Sequence, residues 1–219
     1  MIALIEDIQA IYRQDPACRN IEVFLYPSLH VITVHRYVIH SLYRLGVPFL
    51  PRLFSQLMRV LTGIEIHPGA KIGPGFFCDH GCGVVIGETT EIGRNCTMFH
   101  AVTLGGTGKE KRKRHPTIGD DVFIGHGATI IGPVTVGSNS KIGAQTVIVN
   151  RDIPENCTVV GSPPRIIKRN GGKVNLPLPI SHYRQLDQER EKKAELIVTG
   201  GGVTKSGISK FDNVSNQMR

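Results

Sequence analysis

The chain has 219 residues, 40% of them hydrophobic, which is enough for one solenoid or globular core with an appendage. No apolar run reaches the roughly 18 residues of a membrane span, and the acidic start through Glu6-Asp7 does not read as a signal peptide. Five scattered cysteines (Cys18, Cys78, Cys82, Cys96, Cys157) fit a reduced, cytosolic protein better than a disulfide framework, and the net charge of +8 comes without the motifs of a nucleic-acid reader.

In chain order, residues 1–62 read as helical. A short helical pattern covers Asp7 to Tyr12 and stops at Asp15-Pro16. Pro27 suits the first turn of a helix running to about Leu45, with Val31, Val34, Val38, Leu42 and Leu45 on one face. A further helix spans about Pro51 to Leu61 and ends at Gly63. His30, His35 and His40 recur at five-residue steps, which share no helix face, and read as ordinary helix residues.

From Ile66 the period changes to six. Ile118, Ile124, Ile130, Val136, Ile142, Ile148, Val160 and Ile166 stand in phase, with Pro154 filling the one gap. Earlier members are Ile66, Ile72, Cys78 and Val84, then, after a slip of two, Ile86, Ile92, Met98 and Leu104. Period six matches neither a helix nor an alternating strand. It fits a triangular coil of three short strands, whose coils must stack to bury their apolar residues: a parallel β-helix. The segment 105–117 breaks the phase and must loop out, with a Gly-rich start and the basic run Lys109 to Arg114. Such a loop is a candidate functional site, since the scaffold does not need it. The expected organisation is a helical domain at 1–62, the β-helix at 63–168 with the extruded loop 105–117, and a polar tail at 169–219, partly helical over Tyr183 to Val198.

Two groups could carry chemistry. Asp79-His80 falls on the corner after Cys78, and Glu65 lies 15 residues earlier, nearly one coil away, where a carboxylate could hold the imidazole as a base. The competing reading is a corner satisfied by backbone. Arg114-His115 closes the extruded loop, and Arg114 could clamp a carboxylate with its two-pronged guanidinium. No His or Cys pair has the tight spacing of a zinc site, so no metal is expected.

These motifs together resemble one family. Asp7-Ile8-Gln9-Ala10, Asp15-Pro16-Ala17, Ile66-His67-Pro68-Gly69-Ala70, Asp79-His80-Gly81, Gly83 to Thr89 (GVVIGET) and Val102 to Lys109 (VTLGGTGK) occur in order. Arg114-His115-Pro116, Ile142-Gly143-Ala144 and Gly161 to Arg165 (GSPPR) follow. The chain resembles, from about Asp7 to Lys168, the serine acetyltransferases of the hexapeptide-repeat superfamily. The resemblance implies a left-handed β-helix capped by helices. It also implies a trimer with active sites between neighbouring solenoids, and transfer of acetyl from acetyl-CoA to the hydroxyl of L-serine in cysteine biosynthesis. It implies that His80 is the general base and Glu65 its carboxylate partner. Asp15 and Asp79 hold the substrate amino group, and Arg114 and His115 its carboxylate. Gly106 offers a backbone N–H to the oxyanion. His126, Gly127, Lys141 and Ala144 line the acetyl-CoA groove, with Arg165 and Lys168 near the phosphates. Long members join trimers into hexamers through extra helices; this chain has a shorter start, so a trimer is expected and a hexamer stays open. Many relatives end in isoleucine, which enters the partner cysteine synthase (O-acetylserine sulfhydrylase). This chain ends in Arg219, so that partner is implied without its usual anchor. Another hexapeptide O-acetyltransferase acting on a sugar or antibiotic, a zinc hydratase, and a non-enzymatic solenoid used for assembly are the alternatives.

Overall fold

The computed structural model describes residues 2–108 and 112–199. Among the described residues the α-helices are α1 (Ile2–Gln14), α2 (Pro27–Val34), α3 (His40–Arg44), α4 (Leu50–Thr62) and α5 (His182–Thr199). They are joined by a 3-10 segment, Asn20–Leu25, and a π-helical turn, His35–Ile39. From Glu65 to Val160 the chain winds as a parallel solenoid with three faces. The first face carries Glu65–Ile66, Val85–Ile86, Thr103–Gly105, Thr129–Ile131 and Val147–Val149. The second carries Lys71–Ile72, Glu91–Ile92, Thr117–Ile118 and Thr135–Val136. The third begins with Phe77–Asp79, Thr97–Phe99, Phe123–Ile124, Lys141–Ile142 and Cys157–Val160, all parallel, and ends with the antiparallel strands Arg165–Arg169 and Gly172–Pro177.

The six-residue period is the cause of this shape. Ile66, Ile86, Leu104, Ile130 and Ile148 point inward from the first face, each at most 2% exposed. Each such side chain contributes roughly 1.5–3 kcal/mol by leaving water. At the corners the shorter Val122, Ala128, Val134, Ser140 and Thr146 are also buried. The register differs from the sequence expectation at the end of the run. After Ile148 the inward residues are Ile153 and Val159, paired with Val136 and Ile142, while Val160 is only partly covered. Pro154 therefore does not hold the phase; its neighbour fills the core. Ile166 is buried on an antiparallel strand rather than on a further coil.

The slip of two also has a definite location. Glu65 pairs with Val85, whereas Val85 pairs with Thr103, so the first coil is two residues longer than the second. Asp79 pairs with Phe99, and Ala101 N–H bonds the Cys82 carbonyl. Three residues, His80, Gly81 and Cys82, thus occupy the corner where the next coil has His100 alone.

The helices close the open end of the first coil. Its carbonyls lack a preceding coil, and helix side chains replace it. Ser55 Oγ donates to Ile66 O (2.6 Å), His40 Nδ1 lies 2.9 Å from Pro68 O, His35 Nε2 lies 3.0 Å from Ala70 O, and Arg36 donates to Gly73 O (3.0 Å). Asp7, fully buried in α1, accepts from Gly75 and Phe76 N–H (2.9 and 3.1 Å) and pairs with Arg36. His35 and His40 are therefore not ordinary helix residues. The π-helical turn adds a residue between α2 and α3 and rotates the packed face. Ile32, His35 and Ile39 are buried, while Val38 and Leu45 of the expected face are exposed.

Beyond residue 168, Gly172–Pro177 pairs with Arg165–Arg169, and Leu178 and Ser181 are buried. From Tyr183 the chain forms a second compact unit, described to Thr199 as the polar helix α5. Among the described residues no helix is long and apolar enough to cross a membrane.

Candidate active site

The sequence-derived residues fall on distinct corners and faces. The first cluster lies at the corner leading from the third face to the first. Asp79 ends its strand, and His80 follows with φ 54 in the inserted turn. The His80 side chain is 76% exposed, with Nε2 3.8 Å from Asp79 Oδ1. Its ring meets His100 edge-on at 6.5 Å, and His100 stacks on His126 at 5.2 Å. Despite this column, the described residues contain no group of three His, Cys, Asp or Glu able to hold a metal ion.

Asp15 arrives at the same corner from the turn after α1. Its Oδ1 accepts from Ala17 N–H at 2.8 Å, and the Tyr26 hydroxyl donates to Oδ2. Tyr26 in turn packs on Phe77 at 6.1 Å, which sets this turn above the strand that leads to His80. The Tyr26 hydrogen bond, then the Ala17 N–H, hold the Asp15 carboxyl below its ordinary range against the opposing effect of burial, and nearby His80 lowers it further. Asp15 is thus an anion aimed at the His80 corner, suited to an ammonium group.

The second cluster occupies the next corner, between the first and second faces, where the loop 105–117 leaves the coil. Thr89 organises it. Its Oγ1 accepts the backbone N–H of both Arg114 and His115 at 3.1 Å and lies 3.0 Å from His115 Nδ1. Lys113 Nζ donates to Thr89 O at 2.6 Å. The Arg114 guanidinium pairs with Glu88, which also accepts from Tyr43 at 3.2 Å. Burial tends to raise the Glu88 carboxyl, but the Arg114 hydrogen bond and the His67 and Arg114 charges outweigh it and hold it low. His115 is 8% exposed. Burial, then the Arg114 charge, push its ring down to about 4, so it is a neutral imidazole near pH 7. The space a Cβ would take on Gly106 lies 3.3 Å from His115 Nε2. Arg114, His115 and Gly106 are therefore neighbours.

The remaining candidates sit elsewhere. Glu65 begins the first strand, where Arg59 (3.4 Å) and Arg52 (3.8 Å) of α4 hold its carboxylate; the carboxylate nearest the His80 imidazole is that of Asp79. Lys141 and Lys168 line one cavity of about 490 Å³ with Asn139, Asn156, Thr158 and Asn170. Lys141 and Lys168 both pair with Thr158, which places them on one outward face. His126 and Gly127 lie at the His80 corner, and the backbone N of Ala144 is 2.6 Å from where a Cβ on Gly125 would stand, one coil over. Arg165 is tied to Asn175.

A family model, bacterial transferase hexapeptide (six repeats), matches residues 115–150. The serine acetyltransferase of Bacillus pumilus is 53% identical over 202 residues, covering 87% of this chain and 92% of its own. The chain belongs to the serine acetyltransferase family. Solved serine acetyltransferases agree. That of Neisseria gonorrhoeae has 41% identity and a TM-score of 0.74, over 79% of this chain and 66% of that one, and it has also been solved in complex with serine. That of Brucella abortus, in complex with coenzyme A, has 40% identity and a TM-score of 0.74, covering 79% of this chain and 69% of its own.

Three residues at these corners have no role assigned by sequence pattern alone: Thr89, Glu88 and Tyr26. Glu88-Thr89 stood within the GVVIGET motif without a role, and its place before a broken coil was the available signal. Tyr26 had none beyond preceding Pro27.

Proposed function

We propose that this protein transfers acetyl from acetyl-CoA to the hydroxyl of L-serine, giving O-acetyl-L-serine and CoA, a step of cysteine biosynthesis in the cytoplasm. The observation that carries the mechanism is the separation of the two clusters. Asp15, Asp79 and His80 hold one corner of the solenoid, and Arg114, His115 and Gly106 hold the next. One solenoid presents them on opposite sides of its first face, so a complete site needs two copies, as in a homotrimer with sites between its solenoids.

In this reading one copy supplies Asp15 and Asp79 for the serine ammonium group, and the other supplies Arg114 and His115 for its carboxylate. His80 takes the proton from serine Oγ as the oxygen attacks the thioester carbonyl. The Gly106 N–H faces the resulting oxyanion. Collapse breaks the C–S bond, and the proton on His80 passes to the CoA sulfur. Glu65 steadies the imidazolium by exchanging its ion pairs with Arg52 and Arg59, whose side chains are 51% and 57% exposed and hold it weakly. Lys141 and Lys168 suit the phosphates of CoA. His126, Gly127 and Ala144 line the groove, with Arg165 beyond. Cys78 and Cys96 are buried, with burial raising Cys78 and pushing Cys96 up to about 12, which makes these two thiols unsuited to act as nucleophiles.

The test is thiol release from acetyl-CoA with L-serine, compared with sugars and aminoglycosides. Serine-dependent release that disappears in His80→Ala supports the reading. Release with a sugar and none with serine sinks it.

A further inference from the structure

We propose that Thr89 is the positioning residue that sets the His115 tautomer, so that the ring offers Nε2–H as a neutral, directed donor to the substrate carboxylate. The carboxylate part rests on the role given to His115 above; the tautomer part does not.

The argument is a count of donors and lone pairs. A hydroxyl has one proton and two acceptor lone pairs. The Thr89 oxygen already receives two donors, the N–H groups of Arg114 and His115, both at 3.1 Å. Its own proton is left for His115 Nδ1, at 3.0 Å. The Thr89 backbone N–H also points to Nδ1, at 3.2 Å. Two donors therefore converge on that nitrogen, which must be the unprotonated one. The opposite tautomer would place an Nδ1–H against the Thr89 N–H and give the hydroxyl oxygen a third donor. A buried ring that stays neutral carries its proton on Nε2 instead.

Thr89 is itself held from the other side. Lys113 Nζ donates to Thr89 O at 2.6 Å and reaches Pro116 O at 3.5 Å, so one ammonium ties the coil to the end of the loop. His115 Nε2 lies between two glycines, 2.3 Å from the position of a Cβ on Gly87 and 3.3 Å from the position of one on Gly106. Arg114 then brings the charge for a carboxylate and His115 brings direction without a second charge. A mere packing role for Thr89 would need only its methyl group.

Long-range 1H–15N correlation spectra of full-length protein labelled with 15N-histidine read the tautomer directly. The expected wild-type result at pH 7 is the Nε2–H pattern for His115. Thr89→Val should lose that single pattern and raise the serine KM by about tenfold, as loss of one directed hydrogen bond would, while the acetyl-CoA KM stays within about twofold. Thr89→Ser should restore both the pattern and the serine KM, and it stands in should the valine variant not fold. An Nδ1–H pattern in the wild type overturns the proposal, as does a Thr89→Val protein keeping both the pattern and the serine KM. A changed tautomer with an unmoved serine KM overturns the carboxylate role of His115 and leaves the tautomer assignment standing.

Discussion

The imidazole of His115 fills the space where Gly87 would carry a side chain: a Cβ there would stand 2.0 Å from His115 Cδ2. Gly87 lies two residues before Thr89, so a single turn both clears room for the ring and orients it. Gly87→Ala should therefore displace the ring. The expected result is a serine KM raised at least about tenfold with a stability loss of about 1–3 kcal/mol, the usual cost of overpacking. Steady-state kinetics with each substrate varied, beside urea unfolding, would check it. An unchanged serine KM would show that His115 has no part in binding.

Asp7 should matter for folding rather than chemistry. It is fully buried and joins α1 to Arg36 and to the turn at Gly75 and Phe76. Asp7→Ala leaves a largely covered guanidinium and two backbone N–H groups without their partner. The expected loss is about 3–5 kcal/mol, read as a lower urea midpoint. A loss below about 1 kcal/mol would mean water replaces the carboxylate.

Acid should destabilise the protein before its carboxylates titrate. Burial pushes His35 from 6.5 down to about 4. Above pH 6.5 the ring is neutral in both folded and unfolded states, and the stability is at its full value. Between 6.5 and about 4 the unfolded chain binds a proton that the folded chain refuses, so stability falls as pH falls, by up to roughly 1.4 kcal/mol per pH unit for this ring. His115, also held down to about 4, adds in the same direction. Urea midpoints from pH 7.5 to 5 would show the slope, and His35→Gln should flatten it. A flat wild-type profile would mean that His35 takes its proton in the folded state.

If the two clusters meet only between copies, inactive variants should rescue each other. His80→Ala and Arg114→Ala would each be almost inactive alone. Mixed in equal amounts and reassembled as trimers, about one quarter of the sites would pair an intact His80 with an intact Arg114. Recovery of roughly that fraction of wild-type activity is expected, and no recovery would place the whole site within one chain.

The scaffold was readable because burial acts on every coil alike. Any inward position that was not aliphatic or small would leave a void or a buried polar group, so the series from Ile118 to Ile148 shows in the sequence. The last coil was misread because Val159 and Val160 are both aliphatic, and periodicity cannot say which one faces in. The extra residues at His80 to Cys82 were visible only as a phase error, although the error and the candidate base are the same feature. Thr89 was missed for a different reason. Its role depends on a loop that returns 25 residues later to place two backbone N–H groups on one oxygen, and no local spacing records that.

The antiparallel pair Arg165–Arg169 and Gly172–Pro177 has a consequence for the protein in solution. A stack of identical coils is in principle a filament, since each exposed rim can template the next layer from another molecule. At one rim, Ser55, His35, His40 and Arg36 occupy the backbone acceptors. At the other, on the third face, the antiparallel strand Arg165–Arg169 covers the last coil and Gly172–Pro177 forms the edge; Lys173 stands exposed on that edge, and Arg165, Lys168 and Arg169 stand exposed on the strand beside it. A second molecule docking end-on at this face would meet the edge of a hairpin rather than a coil strand, with Lys173 exposed on it. On this face the rim is a hairpin edge instead of a bare coil strand, a poorer template for a further layer.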